Sequence, residues 1–312
     1  MLRPFKRVLA RQTRAGVVRD RTHAGLACIE RHDDGRLSLR ARVVETDEEG
    51  AAVEAMRLGK TPVSSVLTAD AYQLQLVEVP NVPADEKLAA VRWRIKDLID
   101  IPLDEAVVEM FEMPRHANAG TAPTAYAVVT RSAEVRQQID LMQQADLRLD
   151  VIDIPELCIR NIAALLPQDA DGVAFLHFAE DRGYLTVTRK GVLHIVRHID
   201  HGLRNLAEAA GDALLLQDRI AGITLEVQRS LDYYESHYDC RPITELVLGP
   251  GTGLDALPAA LTEQLGLTVT RIALEDLFSV EDELSPEDQG GCLLAVGAAL
   301  RSDTPLQPAA VS

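Results

Sequence analysis

The sequence predicts an α/β protein of two related lobes, with a small α+β unit inserted in the first. Two observations point there. Each half of the chain opens with three strand-like runs and closes in helices, which reads as a duplication. Between them, residues 72–130 switch to a strand, a helix and two further strands before the first lobe resumes. The expected organisation is a first lobe over 1–71 and 131–167, an insert over 72–130, and a second lobe over 168–312. A chain of 312 residues, 47% hydrophobic and 26% charged, is long enough for two lobes and has an ordinary globular composition.

Charge and cysteine usage exclude several classes. A net charge of -16 argues against nucleic-acid binding, which needs clustered Lys and Arg, and repels an anionic membrane. Cys28, Cys158, Cys240 and Cys292 form no CxxC pair, as expected of a reduced compartment without a zinc knuckle. No apolar stretch follows the basic first residues as in a signal peptide, and no run approaches the roughly 20 apolar residues that span a bilayer. The expectation is a cytoplasmic chain that meets the inner membrane only through a partner. The first 21 residues set seven basic side chains against Asp20, with Leu2, Phe5, Val8 and Leu9 interleaved. That pattern fits either a lipid-touching amphipathic segment or a solvated terminus.

Ala15–Arg19, Gly25–Arg31 and Arg36–Glu45 read as strands, the last two joined at Asp33-Asp34-Gly35, a strong hairpin signal. A polar helix over Glu48–Leu58 and a strand over Ser64–Leu67 follow. In the insert, Leu74, Leu76 and Val79 precede Pro80. Pro83 then opens a helix whose Leu88, Val91, Ile95, Leu98 and Ile99 recur at helical spacing until Pro102. Strands over Ala106–Met113 and Tyr126–Thr130 flank a loop at 114–123. A helix over Val135–Ala145, a strand over Val151–Ile154 and a helix from Pro155 to Leu166 complete the first lobe. The second lobe begins with strands at Val173–Phe178, Tyr184–Arg189 and Val192–Ile199. A long helical stretch over Leu203–Tyr238 leads to a strand at Glu245–Leu248, the turn Gly249–Gly253, a helix to Gly266 and a strand at Thr268–Arg271. An acidic loop over Glu281–Asp288 precedes a small-residue helix over Gly291–Arg301.

Four segments carry a family resemblance: residues 88–105 (LAAVRWRIKDLIDIPLDE), 127–134 with 151–155 (AVVTRSAE, VIDIP), 225–235 (LEVQRSLDYYE), and 246–254 with 292–301 (LVLGPGTGL, CLLAVGAALR). Together they resemble the PilM-like, actin-fold type IV pilus assembly proteins, and more closely their MshI-type relatives in mannose-sensitive haemagglutinin (MSHA) pilus biogenesis. Residues 225–235 are the most specific of these. The resemblance implies a two-lobed actin-like fold (a duplicated RNase H-like unit of the ASKHA class) with a small subdomain inserted in the first lobe. It also implies a cytosolic scaffold that docks the N-terminal cytoplasmic tail of an inner-membrane, PilN-type partner in a groove beside the insert. The apolar residues expected there are Val79, Trp93, Leu98 and Ile101, with filling of the insert's core as the competing role for Trp93. A secretion-system cytoplasmic domain of the GspL type is a further alternative, disfavoured by the lack of a spanning segment.

Actin-like ATPases hold phosphates between D-x-G turns, and here both turns depart from that pattern. The first reads Val17-Val-Arg-Asp-Arg-Thr-His-Ala24, the second Phe178-Ala-Glu-Asp-Arg-Gly183; only Gly249–Gly253 keeps its glycines. Any nucleotide would therefore meet Arg21, Thr22, Asp181, Gly183, Gly249, Gly251, Thr252 and Gly253, with Arg21 or Arg182 as substitute phosphate donors. The expectation is no catalysis and no cofactor, with an ATP-binding switch, Mg²⁺ included, as the alternative. Gly249–Gly253 reads equally as a strand-to-helix connection needing positive φ. His194 and His198 would share a strand face near His177 and His201, but no carboxylate at ligand spacing accompanies them, so no metal site is expected. A G-x-S-x-G elbow and a P-loop are both absent.

Overall fold

The computed structural model describes residues 12–115, 122–238 and 240–301. The amphipathic reading of Leu2–Leu9 and the centre of the 114–123 loop lie outside the described residues. Two sheets share one topology. In the first, β1 (Gln12–Arg19), β2 (His23–Arg31) and β3 (Leu37–Glu45) form an antiparallel meander; β4 (Pro62–Val66) and β8 (Arg148–Asp153) extend it in parallel beside β1. In the second, β9 (Val173–Phe178), β10 (Gly183–Arg189) and β11 (Val192–Ile199) form the meander; β12 (Glu245–Leu248) and β13 (Thr268–Arg271) extend it beside β9. The orders β3-β2-β1-β4-β8 and β11-β10-β9-β12-β13 correspond strand for strand. Burial alternates along the outer strand β3 but runs unbroken through most of β2, β9 and β10, as partly and fully covered strands require.

The third sheet, β5-β7-β6, consists of β5 (Tyr72–Glu78), β6 (Ala106–Glu112) and β7 (Thr124–Arg131). Helix α2 (Lys87–Ile95) buries Val91 and Ile95 on one face, against Val77, Val108, Ala127 and Val129. The other face presents Leu74, Phe111, Met113 and Tyr126 to Leu193 and Val196 of β11. The period-2 alternation of β7 thus feeds two different cores.

The remaining helices are α1 (Glu49–Ala55), α3 (Ser132–Gln144), α4 (Pro155–Ala163), α5 (Leu203–Ala209), α6 (Ala213–His237), α7 (Leu257–Leu265) and α8 (Pro286–Ala299). The stretch read as one helix over Leu203–Tyr238 breaks at Gly211. There Asp212 caps α6, its carboxylate accepting from the Leu214 and Leu215 amides. The acidic loop also ends earlier than expected. Ser285 caps α8, accepting from the Asp288 amide, and Pro286 supplies the preset φ of a first helical residue.

One correction concerns the lobes. Residues 279–299 were expected with the second lobe, yet β14 (Ser279–Val280) pairs with β3, and α8 packs on β1, β2 and β4 with α4 beside it. The cause is steric. A Cβ on Gly16 would lie 1.9 Å from Ala295 O, one on Gly25 2.6 Å from Gly291 O, and one on Gly297 2.3 Å from Cys158 O. Glycines on the sheet and on the helix therefore meet backbone to backbone, and only a helix of small residues fits that space. Asn161 Nδ2 donates to Gly297 O at 2.9 Å, and Arg301 pairs with buried Asp153 at 2.7 Å.

Two predictions follow from this packing. Gly297→Ala meets the Cys158 backbone, so overpacking of about 1–3 kcal/mol outweighs the gain of about 1 kcal/mol in helix propensity; Gly16→Ala is worse. Gly50→Ala in α1, where a Cβ meets nothing within 4 Å, is stabilising by contrast, and urea midpoints for the three variants give the order. The second concerns His177 on β9, 1% exposed, whose Nδ1 has no hydrogen-bond partner among the described residues. Burial pushes its pKa from 6.5 down to about 4. The folded chain keeps the ring neutral while the unfolded chain protonates it. This contribution is whole above 6.5 and is lost as pH falls toward about 4, by up to about 3 kcal/mol. His177→Leu should remove that part of the pH slope from unfolding curves taken between pH 7 and 4.5.

Candidate functional site

The three segments expected to line a nucleotide cleft do come together, around the first turns of α8 and the start of α5. Gly25, beside the β1–β2 turn, abuts Gly291. Gly290 abuts Pro250 and Gly251, Gly251 faces Leu203, and Gly202 presses on Glu180–Arg182 of the β9–β10 turn. Several of their polar groups, however, are already engaged. In the first turn Asp20 Oδ1 accepts from the amides of Thr22 and His23, both at 2.7 Å, and from the Thr22 hydroxyl at 3.1 Å. Burial alone would raise the Asp20 carboxyl, but those two amides outweigh it and hold the carboxyl below its usual range. The donors that would cradle a phosphate thus serve an internal carboxylate, with Arg21 exposed beside them.

In the second turn the Leu203 amide donates to Ala179 O and the Arg204 amide to Glu180 O, while the Arg204 side chain pairs with Asp181 at 2.7 Å. Gly183 is buried, and a Cβ there would lie 2.9 Å from the Phe178 ring, so its glycine serves packing. In the third segment Gly249 is packed on His177 and Leu293, Gly251 (φ +154°) sits under Leu254, and Arg271 donates to Gly251 O at 2.6 Å. Thr252 and Gly253 (φ +71°) remain exposed. Positive φ and close packing account for the Gly249–Gly253 glycines without a ligand.

The expected partner-peptide residues do not line one groove. Val79 and Ile101 are buried, Ile101 within the insert's own core and Val79 just past the end of β5, its amide donating to Pro123 O. Trp93 and Leu98 are 72% and 55% exposed, which excludes the core-filling role for Trp93; Lys96 approaches its ring at 5.8 Å. A different site adjoins the insert. Leu76, Met113, Thr124 and Tyr126 from the third sheet face Ile195–Arg197 of β11 and Tyr233 and Tyr238 of α6 across a narrow crevice. Leu76 is exposed at its mouth, and Arg197 lies 5.4 Å over the Tyr233 ring. The signal for this site was present in the sequence, since three of six tyrosines fall within Tyr233–Tyr238.

The histidines part company through a β-bulge. The register between β10 and β11 shifts at Val187/Thr188, so His194 turns toward Tyr234 and Tyr238 of α6 while His198 turns toward α4. The shared strand face expected for them is lost. No metal-holding group of three His, Cys, Asp or Glu exists among the described residues. Elsewhere, a cavity of about 450 Å³ at the β3 edge sets Arg40, Arg42 and Arg57 among Glu30, Glu281 and Asp282, with Arg40–Glu281 and Arg42–Asp282 already paired. No helix among the described residues is long and apolar enough to cross a membrane.

No protein-family model matches the chain, and no curated protein matches it. Solved structures do. A PilM–PilN type IV pilus biogenesis complex is similar at a TM-score of 0.70 and 18% identity, over 95% of this chain and 99% of that one. The cytoplasmic domain of EpsL, an inner-membrane component of the type II secretion system of Vibrio cholerae, is similar at 0.52 and 13%, over 94% and 97%. A Bacteroides thetaiotaomicron protein with an actin-like ATPase fold gives 0.46 and 9%, over 86% and 93%. The chain has the two-lobed actin-like fold.

Proposed function

We propose that this chain is a scaffold of an MSHA-type pilus biogenesis machine, held at the inner membrane by docking the N-terminal cytoplasmic tail of a PilN-type membrane protein and turning over no ATP. The observation that carries the reading is the end-to-end likeness to a chain of a PilM–PilN type IV pilus biogenesis complex. The tyrosine-lined crevice beside the insert supports it, since aromatic side chains and arginine anchor interfaces at low entropic cost. The free edge of β5 beside exposed Leu76 suits a short extended segment, where main-chain bonds and side-chain contacts act together. The MSHA-type assignment rests on the resemblance that the four segments carry together, the 225–235 motif among them supplying Tyr233.

Absence of turnover is supported by the amide donors already taken up in the Asp20 turn and by the packing of α5 on the carbonyls of Ala179 and Glu180 in the other. The convergence of all three segments on α8 favours the second reading, in which the same cleft binds Mg-ATP and switches partner affinity. A thermal-shift titration separates the two. Ligand at about 100 times its Kd stabilises the native state by about 2.7 kcal/mol, a rise of a few degrees for a chain this size. The scaffold reading expects no shift with millimolar Mg-ATP, and a saturable rise establishes the switch.

Docking is tested by titrating a labelled tail peptide of the neighbouring single-span membrane protein and reading fluorescence anisotropy. Binding in the micromolar range is expected, weakened about tenfold or more by Tyr233→Ala or Arg197→Ala, the scale of a 1.4 kcal/mol anchor. Trp93→Ala should leave it unchanged. A loss confined to Trp93→Ala and Leu98→Ala moves the dock to the α2 face, and no affinity at tens of micromolar ends the docking reading.

A further inference from the structure

The insert's apolar face rests on β11 and α4 through Leu74, Phe111, Tyr126, Leu193, Val196 and Leu157. Apolar contact is non-directional, so that interface alone does not fix where the insert sits. A buried polar junction crosses it. Glu156, in the first turn of α4, is 0% exposed, and its Oε1 accepts from the Tyr72 hydroxyl at 2.7 Å and from His198 Nε2 at 2.5 Å. Tyr72 is the first residue of the insert's sheet, and His198 lies on β11, next to the crevice residue Arg197. Three parts of the molecule therefore meet at one oxygen.

The tautomer follows from the neighbours. Arg182 Nη1 lies 3.4 Å from His198 Nδ1, and a guanidinium only donates, so Nδ1 is the acceptor and the proton sits on Nε2, facing Glu156. The Tyr184 ring meets the imidazole edge-on at 5.5 Å and fixes its plane. A carboxylate stripped of water costs several kcal/mol unless donors hold it, and Glu156 Oε2 has no hydrogen-bond partner among the described residues. The positive end of α4 offsets part of that cost. The rest falls on Tyr72 and His198, so withdrawal of either leaves a buried charge underpaired.

We propose that Glu156 is the positioning residue of the crevice: its bridge between Tyr72 and His198 sets the insert's place against the second lobe, and with it the width of the docking site. Its consequence for docking rests on the function proposed above; the positioning itself does not. Two spin labels measure it in the full chain, at Trp93→Cys on the insert and Leu214→Cys at the overhanging start of α6, with Cys240→Ser removing the partly exposed thiol. The parent should give one narrow distance distribution. Glu156→Gln keeps the side chain's size but removes the charge that makes these bonds about twice as strong as neutral ones, and should at least double the width. Tyr72→Phe, which deletes one oxygen and so preserves folding if the Gln variant fails, should do the same. The double variant should be no broader than the broader single one, because both break one junction.

Unchanged widths in both single variants overturn the proposal, as does additive broadening, which marks two unrelated losses of packing. Broadening as expected, accompanied by at least a fivefold weaker tail affinity, supports both readings. Broadening in a protein whose parent form binds no tail supports the positioning and removes only the docking.

Discussion

The architecture depends on one close approach, in which α8 passes backbone to backbone over β1 and β2 on one side and α4 on the other. Van der Waals contact at Gly16–Ala295 and Gly297–Cys158 leaves no room for a methyl group, so helix, sheet and helix form one rigid layer. Because α8 comes from the end of the chain and sits on the first sheet, the second half is clasped to the first. Anything that bears on the start of α8 therefore bears on both lobes, and the three cleft segments gather at that start.

Much of this was legible in the sequence because it rests on local rules. The hairpin at Gly35 (φ +86°) follows from the positive φ that glycine reaches freely, and the start of α4 from the fixed φ of Pro155. The repeated meander was readable from strand periodicity. The seating of α8 was not: a run of Gly, Ala and Cys has weak amphipathicity, and periodicity identifies a buried helix without saying which sheet covers it. Glycine's role in a close approach depends on what arrives from elsewhere in the chain, which no local window contains.

The site was legible to a lesser degree, for related reasons. The departures from D-x-G predicted crowded turns, but the turns differ from open ones through hydrogen bonds rather than bulk. Asp20 satisfies the amides of its own turn, and α5 satisfies the carbonyls of the other. On the partner side, apolarity alone points to Val79 and Ile101, and it ranks core and groove residues alike. Trp93 is turned outward by its place on α2, while Leu98, expected on the helix's apolar face, lies in the turn beyond its end at Ile95. Tyr126, Arg197 and Tyr233 come from three distant segments, and a one-residue bulge in β11 decides which of its side chains reach the crevice.

That bulge ties the two halves of the site together. Without the extra residue at His194, the alternation of β11 would point His194 and His198 to the same side, and His194 would not reach the tyrosines of α6. With it, β11 turns His194 and Arg197 to the tyrosines of α6 and Val196 and His198 to the insert and Glu156. One strand thus forms a wall of the crevice and holds an end of the junction that places the opposite wall. A site built this way owes its shape to register and to a single buried oxygen. On the reading proposed above, such a site would take up an extended chain without a bound nucleotide or a moving lobe.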